Sequence, residues 1–212
     1  MKPFTHILSA VSLASVLFFA AACEDDDGGS GGGNISEDNN RDLVVCIGDS
    51  ITQGYACDGA PYPSQLAGMS GKQVVNKGVG GATASAAPAA AHNAIALKLG
   101  YICILYGSND AIHGRDPSVT KENLRAAIGA CKAAGVCPII GTPPPMRDGH
   151  SLFNGGAKGA ADAIRALASE EGVRCVDLYG AFGDGEGLLV PDGLHPNAAG
   201  AQLIAAKFNS AL

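Results

Sequence analysis

Four short blocks of the chain hold residue types that could do chemistry together. The first, Gly48-Asp49-Ser50-Ile51-Thr52, puts a serine where a strand would turn into a helix. A hydroxyl exposed on such a turn becomes a nucleophile once a base takes its proton. A serine there also serves as an ordinary helix cap. The second block, Asn76-Lys77-Gly78-Val79-Gly80-Gly81-Ala82-Thr83, is rich in glycine. Its backbone N–H groups can approach a ligand closely, or it is simply a flexible turn. In the third, Gly107-Ser108-Asn109-Asp110, Asn109 offers a side-chain N–H donor. The fourth, Asp192-Gly193-Leu194-His195-Pro196, sets a carboxylate three residues ahead of an imidazole, near enough to hold the ring across a turn. A lone loop histidine is ordinarily just solvated, so each block has a bland reading when taken alone.

Short, mostly apolar runs at residues 43–47, 73–76, 101–106, 137–141 and 174–177 read as strands buried on both faces. Helical patterns at 62–69, 86–99, 118–134, 156–171 and 197–211 alternate with them. Pro117-Ser118 and Pro196-Asn197 fit helix starts, and Gly100, Gly135 and Gly172 fit helix stops. This alternation demands right-handed crossovers and a three-layer α/β/α sandwich around a mainly parallel five-stranded sheet. No second domain and no internal repeat is visible. Ligand chemistry in such sheets sits beyond the carboxyl ends of the strands. All four blocks fall at that edge.

In this order, the four blocks resemble those of the SGNH (GDSL-type) hydrolase family, over roughly residues 43–212. The resemblance implies a flavodoxin-like sheet, with Ser50 as nucleophile, His195 as general base and Asp192 as the carboxylate that orients it. It further implies an oxyanion hole made by the backbone N–H of Ser50, the backbone N–H of Gly81 and the side chain of Asn109. The expected course is an acyl-enzyme followed by attack of water, with no cofactor. Serine is a poor nucleophile unless an imidazole takes its proton as the bond forms. Two rival motifs fail. Thr52 stands where the Gly-x-Ser-x-Gly elbow needs its second glycine. No phosphate-binding Gly-x-x-x-x-Gly-Lys-Ser/Thr occurs, and residues 78–83 do not complete Gly-x-Gly-x-x-Gly.

The 212 residues are 47% hydrophobic and 16% charged, enough apolar material for one core and too much for a disordered chain. Lys and Arg number 14 against 20 Asp and Glu, a formal net charge of -6, which excludes a basic nucleic-acid-binding face. Much of the acidity is local, because Glu24, Asp25, Asp26, Asp27, Glu37, Asp38 and Asp42 all precede the first strand. Residues 1–22 read as a secretory signal, with Lys2 at the start and an apolar run from Ile7 to Phe19. That run is shorter than the ~20 residues needed to span a bilayer. Ala20, Ala21 and Ala22 lead into Cys23 and resemble a bacterial lipobox, although Ala20 replaces the usual aliphatic residue. Cys23 is then the lipid attachment site of an exported lipoprotein at the outer membrane or cell surface, touching the membrane only through that anchor. Residues 23–42, acidic and then glycine-rich, read as a tether whose acidic cluster is either a surface-export signal or a solvated linker.

Cys46, Cys103 and Cys175 fall in strands, as buried apolar residues do. Cys131 and Cys137 bracket a helix end and a strand start, where an exported protein can form a disulfide. No Cys-x-x-Cys pair or Cys/His cluster occurs, so no metal site is expected. His92, His113 and His150 read as surface or loop residues, the last two near the rim of the site. The loops that would choose the substrate are residues 55–63, Pro143-Pro144-Pro145-Met146 and Phe153. A compact chain with no Trp leaves no room for a large lid and offers no stacking platform for a long glycan. The expected substrate is a small ester or acylated glycan, with acetyl groups on sugars favoured. Lysophospholipid or thioester hydrolysis, acyl transfer to a sugar hydroxyl, and a binding protein on this scaffold remain open. Oligomeric state is not legible.

Overall fold

The computed structural model describes residues 35–212. The proposed signal segment, Cys23 and most of the tether lie outside the described residues. Five strands form one parallel sheet in the order β2-β1-β3-β4-β5: β1 (Asn40–Gly48), β2 (Gln73–Gly78), β3 (Leu99–Leu105), β4 (Cys137–Gly141) and β5 (Arg174–Val176). The eight helices of the described residues are α1 (Ser50–Gln53), α2 (Tyr62–Ser70), α3 (Ala87–Ile95), α4 (Ser108–Ile112), α5 (Pro117–Ala133), α6 (Asn154–Glu171), α7 (Leu178–Phe182) and α8 (Ala198–Asn209). This is the expected α/β/α sandwich with flavodoxin-like strand order.

The continuous apolar runs in the strands follow from burial on both faces. Along β1, Val45 and Ile47 face one core, packed with Ile102, Ile104 and Ile140 against Ala87 and Ala91 of α3, Leu124 and Ile128 of α5 and Ile164 of α6. Val44 and Cys46 face the other, with Cys103, Leu105 and Ile139 against Tyr62 and Leu66 of α2 and Ile204 and Phe208 of α8. The period of two thus divides a single strand between two cores.

Several boundaries differ from expectation. The folded body begins before residue 43. Ile35 is buried, the Ser36 N–H donates to the Gly135 carbonyl at 3.0 Å, and Asn39 Nδ2 donates to the Ala134 and Gly135 carbonyls just past the end of α5. The last part of the expected tether is therefore a cap on a helix terminus. Gly100 does not stop a helix. It lies in β3, packed so closely on Arg41 that a Cβ would stand 2.8 Å from the Arg41 Cα. The chain leaves α3 earlier, through Lys98 in a left-handed conformation (φ 56°). Cys131 and Cys137 do not form the expected disulfide, because they pack on opposite sides of the sheet, one in each core. The short helices α1, α4 and α7 at the strand ends lack the length to show a sequence period.

The turn from β1 into α1 is the tightest of these junctions. A Cβ on Gly48 would sit 2.1 Å from Thr52 Oγ1 and 2.4 Å from the Leu105 carbonyl oxygen. Both neighbours are fixed, the carbonyl as backbone at the end of β3 and the hydroxyl by its contact with Tyr62 Oη at 3.2 Å. Gly48→Ala is accordingly expected to destabilise the fold by about 3 kcal/mol, the upper range for overpacking, measured as a shift in the urea unfolding midpoint. A loss below about 1 kcal/mol would mean that β1 and β3 can separate here.

Candidate active site

β1 lies between β2 and β3, with α2 and α3 packed on opposite faces of the sheet, so a crevice opens beyond the carboxyl ends of β1 and β3. All four sequence blocks reach it. A cavity of about 360 Å³ is lined by Ser50 after β1, Gly80 and Gly81 after β2, Asn109 after β3, and Asp192, Leu194 and His195 ahead of α8. Gln53 and Tyr55 complete the wall.

Ser50 is the first residue of α1, and Asp49 caps that helix by accepting the Ile51 N–H at 2.9 Å. The serine is therefore held by backbone geometry, and its side chain is left free to point into the cavity. Ser50 Oγ lies 2.9 Å from His195 Nε2, and His195 Nδ1 lies 2.6 Å from Asp192 Oδ2. Asp192 Oδ1 meanwhile accepts the N–H groups of Leu194 at 2.8 Å and His195 at 3.0 Å. Partial burial pushes the Asp192 carboxyl up, but these hydrogen bonds, led by the one from the His195 ring, outweigh it and hold the group below the usual carboxylate range. An ionised carboxylate only accepts, so Nδ1 carries the ring proton and Nε2 turns its lone pair to the serine hydroxyl.

The turn carrying this pair is fixed from behind. Gly193 adopts φ +73°, and a Cβ there would stand 2.0 Å from the Arg147 carbonyl oxygen. Arg147 N–H in turn donates to the Gly193 carbonyl at 2.9 Å. His150 Nδ1 lies 2.7 Å from the Asp192 carbonyl oxygen, so that nitrogen must be the protonated one. His150 thus steadies the turn from outside the cavity, while His92 and His113 are exposed.

Two N–H groups in the cavity wall, those of Ser50 and Gly81, meet no acceptor among the described residues. Asn109 spends one amide N–H on the Ala82 carbonyl at 3.0 Å, which fixes the side chain and leaves its second N–H for a ligand. Tyr55, 60% exposed, sets its ring 4.5 Å from the His195 ring at 56°. The loop at 55–63 thus reaches the cavity through Tyr55. Met146 and Phe153 do not line it. They pack with Leu194 and Ala157 in a small separate cluster that supports the cavity floor. The sequence reading did not find Gln53 or the burial of Asp49 and Asp110, because nothing in local spacing marks them. Among the described residues no group of three or more His, Cys, Asp or Glu could hold a metal ion.

The chain is 28% identical to an acetylxylan esterase of Xylanibacter ruminicola, in a match covering 76% of this chain and 41% of that protein. It therefore spans about two fifths of that relative's length. A protein of the lipolytic G-D-S-L family from Desulfitobacterium hafniense superposes with a TM-score of 0.72 at 25% identity, covering 81% of this chain and 100% of that one. An acetylxylan esterase from Geobacillus stearothermophilus superposes at 0.68 with 23% identity, covering 82% and 94%; at that identity the likeness concerns the fold. Residues 46–203 match the GDSL-like Lipase/Acylhydrolase family, and the chain belongs to it.

Proposed function

We propose that the chain is a serine esterase that removes short acyl groups, acetyl first, from carbohydrate esters. The observation that carries this reading is the unbroken relay from Ser50 Oγ through His195 to Asp192, at 2.9 and 2.6 Å, beside three free N–H groups on one cavity wall. The likeness to an acetylxylan esterase supports the acetyl and sugar parts.

The chemistry follows from the geometry. Ser50 Oγ attacks the ester carbonyl carbon while its proton passes to His195 Nε2, and Asp192 stabilises the imidazolium that results. Negative charge gathers on the carbonyl oxygen, where the N–H groups of Ser50, Gly81 and Asn109 are already in place, so little reorganisation is needed. As the tetrahedral intermediate collapses, the carbon–oxygen bond to the alcohol breaks and His195 returns the proton to that oxygen. Water then attacks the acyl-enzyme carbonyl, giving a proton to His195; the bond from the acyl carbon to Ser50 Oγ breaks, His195 returns the proton to that oxygen, and the carboxylic acid leaves. The glycines at 80 and 81 and a cavity of about 360 Å³ suit a small acyl group. Exposed Tyr55 at the mouth offers an apolar face to a sugar ring.

Residues 1–27 support export and lipid anchoring at Cys23. Cys23→Ser is expected to move the protein from the membrane fraction to the soluble fraction of its host. Retention in the membrane would remove the anchor reading.

Turnover of p-nitrophenyl acetate, butyrate, octanoate and palmitate is expected to fall with chain length, and acetylated xylooligosaccharides are expected to release acetate. Ser50→Ala should abolish both activities. Asn109→Ala should lower kcat on the order of 100-fold to 1,000-fold, the effect typical of losing one oxyanion donor. Comparable rates on acetyl and palmitoyl esters would favour the lysophospholipid reading. Inactivity of the folded protein on every ester would favour binding or acyl transfer.

A further inference from the structure

Beneath the cavity lie two carboxyl groups to which the proposed reaction gives no role. Asp49 and Asp110 are each only 1% exposed. Each satisfies one oxygen on a neighbouring backbone: Asp49 Oδ1 accepts the Ile51 N–H at 2.9 Å, and Asp110 Oδ2 accepts the Ala84 N–H at 2.8 Å. The other oxygens, Asp49 Oδ2 and Asp110 Oδ1, are fully enclosed and have no partner among the described residues. Two buried acceptors left this way are costly, and costlier still if both carboxyls are ionised. A proton on one of them turns an orphaned acceptor into a donor.

The chain positions of these residues give the pair its meaning. Asp49 precedes Ser50, Asp110 follows Asn109, and Ala84 lies three residues beyond Gly81. We propose that Asp49 and Asp110, each enclosed and each holding a backbone N–H, act together as positioning residues that keep the turns bearing the Ser50, Gly81 and Asn109 donors at fixed spacing. This rests on the esterase reading of the cavity for its consequence in catalysis.

The electrostatics agree with the geometry. Burial, and after it the negative charge of Asp110, raise the Asp49 carboxyl to about 7 against the pull of the Ile51 N–H. The groups that face Asp49 are few: Asp110 from α4, and Tyr106 just past β3, whose hydroxyl is itself pushed up to about 12 by burial and by Asp49. The 3-10 turn Ala84–Ala86 brings only its N–H, and His195 reaches the region only through Ser50. Among the described residues no cation acts on Asp49 to favour a second negative charge. Ionising Asp49 would put that charge one residue from the N–H that receives the oxyanion, and would set two carboxylates against each other.

The sign of the pH dependence is fixed. A carboxyl raised in the folded state adds stability that is fully present below its unfolded value near 4 and is lost as pH rises through about 7. Asp49→Asn keeps the shape of the neutral acid and cannot ionise.

The test is carboxyl-carbon and amide NMR of the folded protein from pH 5 to 9, with Asp49→Asn and Asp49→Ala alongside and kcat and KM measured on p-nitrophenyl acetate. The Asp49 carbon is expected at the acid position at pH 5 and to titrate in the neutral range. The amides of Ser50, Gly81 and Asn109 should move with the same midpoint, and Asp49→Asn should lose that step. Asp49→Ala should lower kcat about tenfold with little change in KM, and Asp49→Asn should recover most of the loss at pH 6. An Asp49 carbon at the ionised position throughout, or amides that ignore its titration, would overturn the proposal. Should no ester be turned over while the coupled titration is present, the esterase reading fails and the pair stands.

Discussion

The turn between β1 and α1 governs how the site is assembled. At Gly48 the chain passes so close to the end of β3 and to Thr52 that only a hydrogen atom fits on the α-carbon. Because β1 is hydrogen-bonded to β2 on one side and β3 on the other, this closeness fixes the height of all three strand ends. The Val79 N–H donates to the Gly48 carbonyl at 2.9 Å, so the glycine loop after β2 is tied to the same point. Ser50, the glycine loop and Asn109 are thus three outgrowths of one close contact. The distances at their tips inherit the stiffness of the sheet.

The imidazole comes from a different part of the chain, and its support is correspondingly different. The turn from Asp192 to His195 is stabilised mostly by itself, with one carboxylate serving two backbone N–H groups and one ring nitrogen. Its connection to the rest runs through Arg147 and His150 in the segment after β4. Half of the relay is therefore built on strands and half on a loop pinned by a close backbone approach at Gly193. The two halves meet at the hydrogen bond from the serine hydroxyl to the histidine and at the contact between the Tyr55 and His195 rings.

Much of this was legible in the sequence. Apolar runs gave β1, β3 and β4 because burial on both faces leaves no room for polar alternation, while the edge strands β2 and β5 are partly exposed and were read from shorter runs. The four blocks carried their chemistry in local patterns short enough to read directly. Other features were hidden for physical reasons. Leu99 and Gly100 looked like the end of a helix, since a glycine beside a helical pattern usually stops it. Their pairing with β1 depends on a distant segment that no local window contains. The two cysteines at 131 and 137 are near in sequence and are separated by the thickness of the sheet. Asp49 and Asp110 read as parts of motifs, and their enclosure is visible only once α4 is laid over the strand ends. Asn39 looked like linker because its value lies in carbonyls 95 and 96 residues away.

The parallel sheet also has a polarity. Asn39 meets the chain just ahead of β4, at the amino end of the strands, whereas the cavity opens at their carboxyl ends. Nine residues of extended β1, roughly 30 Å at about 3.3 Å per residue, separate the two poles. Whatever holds the chain upstream of residue 35 therefore pulls from the side opposite to the cavity mouth. An anchor at Cys23, as proposed, would join the domain on that side and leave the cavity mouth clear for a bulky or branched polymer.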